Sequence, residues 1–523
     1  MEDALLRDKL VENKVSSVYA AVVVIYRLYF SPLARFPGPR LAAATGLYEA
    51  YFQIIKGGTF TWEINRLHQE YGPIIRIKPS ELHIKDPDYY NVLYSGPGKH
   101  RNKDPWFSFI TYPQSLFSTT GHDLHRARRK ILGHFFKKGA IARVESVSQA
   151  NTESLCRHFT KVSRDKTTLE VHGAFESFAC DVLSQYTFGQ HDGFHYLDEP
   201  TVSDVWKKQI TSLFEFCRLV RYFPFLGRLA RTVPAIAMRV CPTYQYVYNF
   251  ERDVRQRVRA VIAKHEAGLA IDASPSSSTG RTHSLRATSA IYPAILSDPT
   301  VPQTEKDQSR LEDDALFLMM AGTDAPAQVL AITLFHIIHS PEVHKELKRE
   351  LLSGIPNMQT MPSLHDLEKL PYLSAVIREG LRLSSVVTTR LPRSAPDEVL
   401  QYQQWWIPAG TFVSMSTYFI LRDPDIFPEP TKFIPERWLL EPEELQSLNR
   451  YLVPASKGTM GCLGQNLQWS WMHIVLGTIL RRFDLSLHET TEKNVEMTRD
   501  NFIGQSEQGM NLVQVKVLER YAV

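Results

Sequence analysis

Apolar residues recur at helical spacing through most of this chain, and strand-like alternation is confined to small groups near its front and back. Residues 249–266 set an apolar stripe against a charged face, the pattern of an amphipathic helix. From 315 to 338 the chain is apolar nearly all round, which predicts a helix buried through the centre of the molecule. Residues 71–78 (Tyr-Gly-Pro-Ile-Ile-Arg-Ile-Lys) alternate apolar and basic positions as a half-buried strand does. Residues 15–30 form an apolar run with a clean core at 18–26, shorter than the ~20 residues of a straight membrane span. Residues 273–280 (Ala-Ser-Pro-Ser-Ser-Ser-Thr-Gly) read as a low-complexity connector inside the stretch 270–290. The pattern predicts an α+β, mainly α fold with small β-sheets. A terminal segment, 1–35, gives way at the stiff Pro37-Gly38-Pro39 hinge to one large domain, 36–523.

Composition narrows the function. Of 523 residues 43% are hydrophobic, enough for a large core, and the net charge of +4 creates no field for nucleic acid. The five cysteines (156, 180, 217, 241 and 462) have neither metal-site spacing nor a disulfide framework, which fits a reducing compartment. The residues before the apolar run mix Glu2, Asp3, Asp8 and Glu12 with Arg7, Lys9 and Lys14, unlike a signal peptide. Arg27, Arg35 and Arg40 follow it, which keeps the downstream chain on the cytosolic side of an inserted anchor.

Four places carry chemistry. Cys462 lies between Gly458 and Gly464 just ahead of a helix-like stretch, 465–482. The glycines let backbone curl around the thiol, and the unpaired N–H groups of a helix start favour a thiolate, a good axial ligand for haem iron. By itself the run fits a small buried cysteine as well. Glu379 and Arg382 share a helix face, and Arg437 brings a second guanidinium, so one carboxylate shared by two arginines can be buried without an unpaired charge. Asp324 puts a carboxylate in the buried central helix, where a lone acid is costly. Two residues on, Pro326 has no N–H to return to the Gly322 carbonyl, which predicts a freed carbonyl and a kink. Finally, His125-Arg126-Ala127-Arg128-Arg129 is a basic run, which read alone is a solvated face or a docking patch for an acidic partner.

In this order and spacing, Ala321-Gly322-Thr323-Asp324, Glu379-Gly380-Leu381-Arg382, Phe433-Ile434-Pro435-Glu436-Arg437-Trp438 and the Cys462 loop resemble the cytochrome P450 family of haem-thiolate monooxygenases. The resemblance runs from Phe36 to the C-terminus, and the hinge after an apolar segment is similar to that of microsomal, fungal secondary-metabolism members. It implies haem b, iron protoporphyrin IX, with Cys462 as axial ligand and Glu379, Arg382 and Arg437 locking the core beneath it. It further implies His125, Arg129 and Arg393 as contacts of the haem propionates, which arginine forks suit, and Asp324 in proton delivery. The Gly322 carbonyl freed by Pro326 is expected to hold, with Asp324, a water that replaces the missing alcohol, unless a substrate hydroxyl does so. The partners implied are an NADPH-dependent flavin reductase, O2, a lipophilic small molecule and the endoplasmic reticulum membrane, with the catalytic domain in the cytosol.

Departures from the family pattern matter as much. Met460 stands where a basic residue is usual, Ala455 where an aromatic is usual, and Ala325 where a threonine usually helps pass protons. Thr323 is no simple substitute, because adjacent side chains diverge by about 100° around a helix. A substrate pocket is expected from residues 106–109, 214–217, 317–321 and 385–388. Two other activities remain open from Ala325, Met460 and Ala455: a haem-thiolate isomerase or lyase that consumes no electrons, and a degenerate non-catalytic haem-binding protein.

Overall fold

The structure is a computed structural model describing residues 17–269, 290–358, 360–507 and 513–521. The start of the terminal segment and nearly all of the expected connector lie outside the described residues. The apolar helix Ser17–Phe30 exposes Val18, Tyr19, Val22 and Ile25 along its length, and its last turn, Tyr26–Phe30, widens to a π-helix. Its end is stitched to the main domain. Arg27 donates to the Ala44 carbonyl at 2.9 Å, and Arg76 donates to the carbonyl of Arg27 at 2.8 Å.

A five-stranded sheet is built from β1 (Ile74–Lys78), β2 (Glu81–Ile84), β3 (Asn102–Lys103), β4 (Arg393–Ser394) and β5 (Phe412–Ser414), in the order β1-β2-β5-β4-β3. Only the β2–β5 pairing is parallel. The sequence predicts β1 to be half-buried, but both its faces are covered: Ile75 and Ile77 pack with Phe60 and Leu67, and Ile74 packs with Leu82 and Ile84. Arg76 tolerates that burial by donating to two carbonyls, those of Arg27 and Pro79. A tight hairpin of β6 (Arg499–Asn501) and β7 (Ile503–Gln505) lies farther along the chain.

A three-stranded sheet (Leu169–Glu170, Gln514–Arg520, Phe483–Leu487) and a second hairpin (Leu400–Tyr402, Trp405–Ile407) complete the strands, and helices make up most of the frame. Those that position the site are α1 (His122–Gly133), α2 (Val171–Phe188), α3 (Val205–Tyr222), α4 (Pro224–Thr232), α5 (Pro234–Val240), α6 (Tyr244–Glu266), α7 (Gln308–Ala321), α8 (Asp324–His339), α9 (Pro371–Ser384) and α10 (Gln465–Arg482). Helices α2, α8 and α10 are buried nearly throughout and share one core with α6 and α7.

The central helix is broken rather than continuous: α7 stops at Ala321 and α8 starts at Asp324. Three local causes converge. Pro326 lacks the N–H that would bond to the Gly322 carbonyl. The Thr323 hydroxyl, fully buried, donates back to the Met319 carbonyl at 2.7 Å and accepts from the Trp206 indole at 2.9 Å. At Gly322 a Cβ would come within 2.5 Å of Leu183 on α2, so glycine is what lets the two helices pack at the break.

Candidate active site

Cys462 is held by its loop in detail. Its N–H donates to the Ala455 carbonyl at 2.7 Å, and the N–H of Gly461 donates to the Gly458 carbonyl at 3.2 Å. Gly458 has φ +72°, and a Cβ there would run into the carbonyls of Tyr94 and Ser95, so the turn admits only glycine. The sulfur sits at the start of α10. Desolvation by the surrounding loop pushes the thiol up, while the N–H groups of Gly464 and Gln465 and the charge of Arg129 pull it down. The side chain itself stays exposed, on a cleft of about 410 Å³ that Arg129, His134, Phe136, Leu463 and Gln465 also line.

Beside that loop lies a group of buried cations. Lys103 and Arg393 are direct register partners across the β3–β4 ladder, and each is at most 5% exposed. Like charges directly opposite in a ladder repel. His125 on α1 is 3% exposed with no partner for Nδ1, and burial, then Lys103, Arg129 and Arg393, push it down to about 2. Burial and Arg393 likewise hold Lys103 far below the usual lysine range. Among the described residues Lys103 donates only to the carbonyls of Leu116 and Phe117, and Arg393 only to that of Pro392. Arg129 donates to the Gly461 carbonyl at 2.6 Å, tying α1 to the cysteine loop. Among the described residues no acid forms an ion pair with Lys103, Arg129 or Arg393. A cluster of basic groups with no acid to balance it asks for an anionic ligand, and the two propionates of a haem fit it.

The structure brings His125, Arg129 and Arg393 together and adds Lys103. Sequence reading missed Lys103 because only the strand register places it opposite Arg393. Within the basic run, Arg128 is not on the solvated face: it bonds Thr119 Oγ1, the Gln114 carbonyl and Glu305. Arg126, Lys130, His134 and Lys137 are exposed and form the basic surface next to the cysteine loop.

Glu379 is the hub of the scaffold. Fully buried, it accepts from Arg382 Nε and Nη2 at 2.9 and 2.8 Å and from Arg437 Nε at 3.0 Å. It also accepts from the Ile434 N–H at 3.0 Å and the Trp438 indole at 2.9 Å. Burial would raise its carboxyl, but the Arg382 bond and the two guanidinium charges hold it below the usual range. Trp438 is the member the sequence did not assign.

On the side of the helix break, Asp324 opens α8 and is buried against α2, where His172 Nε2 lies 3.6 Å from its Oδ1. Ala325 is partly buried. An aromatic cluster stands nearby. Phe117 stacks on Phe317 at 4.3 Å and meets Phe502 edge-on at 5.5 Å, with Trp106 6.3 Å from Phe502. Val386 and Val387 are partly buried and tied to the β6–β7 hairpin, Val387 pairing with Ile503. Phe502 turns that hairpin at φ +81°, a strained conformation for an aromatic residue. Of the expected pocket residues, Phe214 and Cys217 belong instead to the packed core.

A glycine-bounded thiol next to uncompensated buried cations defines a protein that takes a thiolate-ligated, anionic prosthetic group. The family description "Cytochrome P450" matches residues 45–512, and the chain belongs to that family, whose members are haem proteins. A conidiogenone synthase of Penicillium rubens is 35% identical over 92% of this chain and 93% of its own length. The cytochrome P450 monooxygenase TRI4 of Trichoderma arundinaceum is 34% identical over 94% and 92%, and a tryptophan 6-hydroxylase of Fusarium equiseti 36% over 92% and 91%. The chain is accordingly an oxidoreductase of the monooxygenase type, resembling fungal secondary-metabolism members.

Proposed function

We propose that this chain is an endoplasmic-reticulum-bound haem b monooxygenase that inserts one oxygen atom of O2 into a lipophilic secondary metabolite, such as a terpenoid or polyketide. Electrons come from an NADPH-dependent flavin reductase. The observation that carries the reading is the buried Lys103, His125, Arg129 and Arg393 set beside the Cys462 loop, with no acid to balance it. In this reading Cys462 holds the iron, the four cationic or basic groups hold the propionates, and the Glu379 hub keeps the fold beneath them rigid. Haem, when bound, supplies the oxygen-activating and electron-accepting chemistry.

The chain's own residues do the rest. The aromatic cluster of Trp106, Phe117, Phe317 and Phe502 offers an apolar wall that excludes water and orients a lipophilic substrate. With Ala325 in place of an alcohol and Thr323 committed to Met319 and Trp206, Asp324 and the Gly322 carbonyl are left to hold and pass protons at the helix break. The exposed basic surface of Arg126, Lys130, His134 and Lys137 suits an acidic reductase. Exposed apolar residues of Ser17–Phe30, with Leu47, Ile55, Phe225, Leu229, Ile236 and Val240, support membrane attachment.

Expression with a reductase tests the whole reading. The reduced carbon-monoxide complex should give a thiolate-type Soret band that Cys462→His removes, and product should form only with NADPH. Ala325 favours one rival, a rearrangement without electron input. Product formed equally well without NADPH would establish that rival, and no turnover with any reductase would favour a non-catalytic haem protein.

A further inference from the structure

Behind Asp324, on the face of α8 that packs against α2, three ionisable side chains meet in the interior. His172 and Glu176 are one turn apart on α2, and one ligand atom each of His172, Glu176 and Asp324 lie within 4.8 Å of one another. His172 Nε2 is 3.6 Å from Asp324 Oδ1 and 3.9 Å from Glu176 Oε1. Glu176 is 1% exposed and Asp324 8%. Among the described residues neither oxygen of Glu176 has a donor to accept from, and His172 Nε2 is also unpartnered. The charge of Lys207 on α3 reaches Glu176, and Lys207 Nζ itself is 3.2 Å from Glu170 at the start of α2.

Two carboxylates facing each other cannot both stay ionised in such a place. Ionised, Glu176 would be a buried acceptor with nothing to accept. Protonated, it becomes a donor to Asp324 and the orphaned group is satisfied. Burial first, then the Asp324 charge, push the Glu176 carboxyl well above the usual range, with Lys207 opposing and Glu170 adding to the rise. His172 also lines a separate cavity of about 30 Å³ with Gln328, Asn494 and Ser506, space enough for a water molecule.

We propose that Glu176 and His172 are a proton-loading pair for Asp324, a deepening that rests on the reading of Asp324 as the proton-passing acid. When Asp324 gives up a proton, the Glu176 O–H bond breaks and its proton moves to the Asp324 carboxylate. His172 then takes a proton from the cavity at Nε2 and passes it to Glu176, which leaves the ring in its starting tautomer. No electrons move, and the net change is one proton carried from the cavity to Asp324. Both residues act through Asp324 and are positioning residues. The distinctive claim is that the reservoir is carboxyl–carboxyl, with a histidine reloading it.

The test uses the full-length haem-loaded enzyme, its reductase and the isosteric variant Glu176→Gln. Infrared spectroscopy of the wild type at neutral pH should show a buried protonated carboxyl that Glu176→Gln lacks and Asp324→Asn shifts. In Glu176→Gln and His172→Gln the share of NADPH electrons reaching product should fall about tenfold or more, with an increased solvent isotope effect. The carbon-monoxide spectrum and haem content should stay unchanged, and Glu176→Asp should recover part of the coupling. Absence of that carboxyl signal overturns the proposal, as does a stoichiometric divalent ion lost on His172→Gln, which would make the trio a metal site. Product formed without NADPH would instead sink the monooxygenase reading, and the infrared signal would be unaffected by that failure.

Discussion

Lys103 and Arg393 pose an energetic problem at the scale of single residues. Both are buried and basic, and they face each other across a two-residue ladder, so charge on one disfavours charge on the other. In the haem-free chain this arrangement is repulsive, and propionates would turn it attractive. Arg393→Met should therefore act in opposite directions on the two forms. The apoprotein should unfold at equal or higher urea concentration, while the loaded protein should release haem to an acceptor globin about tenfold faster or more. Loss of stability in both forms would mean that Arg393 serves the fold. Glu379 predicts the contrary pattern. Replacing it with Gln leaves Arg382 and Arg437 buried with half their partner gone, so both forms should lose about 3–5 kcal/mol in urea unfolding. Glu379 was legible because it stands in a motif of fixed spacing, and Arg393 through the family resemblance. Lys103 and Trp438 were not, since their roles depend on which strand or segment is laid beside them.

The break between α7 and α8 sets the prospects for chemistry at the scale of elements. Gly322 and Pro326 announced a kink in the sequence, and Thr323 reinforces it by bonding back to Met319 rather than forward into α8. What the sequence did not reveal is the partner of Asp324. The acid is placed by α2, and residues 172 and 176 carry no motif to mark them. The β1 strand was misread for a related reason, because period-two alternation indicates a half-buried strand only when one face meets water. Here Arg76 looks like a surface position in the sequence but is absorbed by two carbonyls. Ala325→Thr is the informative change. An alcohol returned beside Asp324 should alter the ratio of product formed to NADPH consumed, with haem content unchanged, as measured by parallel NADPH and product assays. An unchanged ratio would show that the Asp324 route works independently of an alcohol at this position.

Acid sensitivity at the scale of the whole molecule follows from histidines that the fold keeps neutral. His68 bonds the Gly72 carbonyl at 2.8 Å and His83 at 2.7 Å, and burial holds it down to about 4. His473 bonds the Trp469 carbonyl at 2.9 Å and is likewise held to about 4, chiefly by burial. His336 stacks on Phe433 at 5.1 Å and is pushed by burial to about 3. In the unfolded chain each of them takes a proton near the ordinary value of 6.5. Unfolding therefore takes up protons below that value, and stability falls as pH drops from 6.5 toward 4, by roughly 3 kcal/mol for each histidine. Above 6.5 both states are neutral and the term vanishes. Asp181 works the other way. Burial raises it to about 6 despite the N–H groups of Leu197 and Tyr196, so it favours the fold as pH falls toward 4 by roughly the same amount as one histidine. Glu176, raised by burial and the Asp324 charge, works with Asp181, while His125, held down to about 2, works with the other histidines. Four histidines outweigh these two acids, and the depressed Glu379 adds to the loss at still lower pH. The expected outcome is a melting temperature that is flat between pH 7 and 8 and drops steeply from pH 6 to pH 4.5 in calorimetry. His473→Gln, which keeps a side-chain donor for the Trp469 carbonyl, should make that drop shallower. A wild-type profile flat down to pH 4.5 would show that these histidines are protonated in the fold.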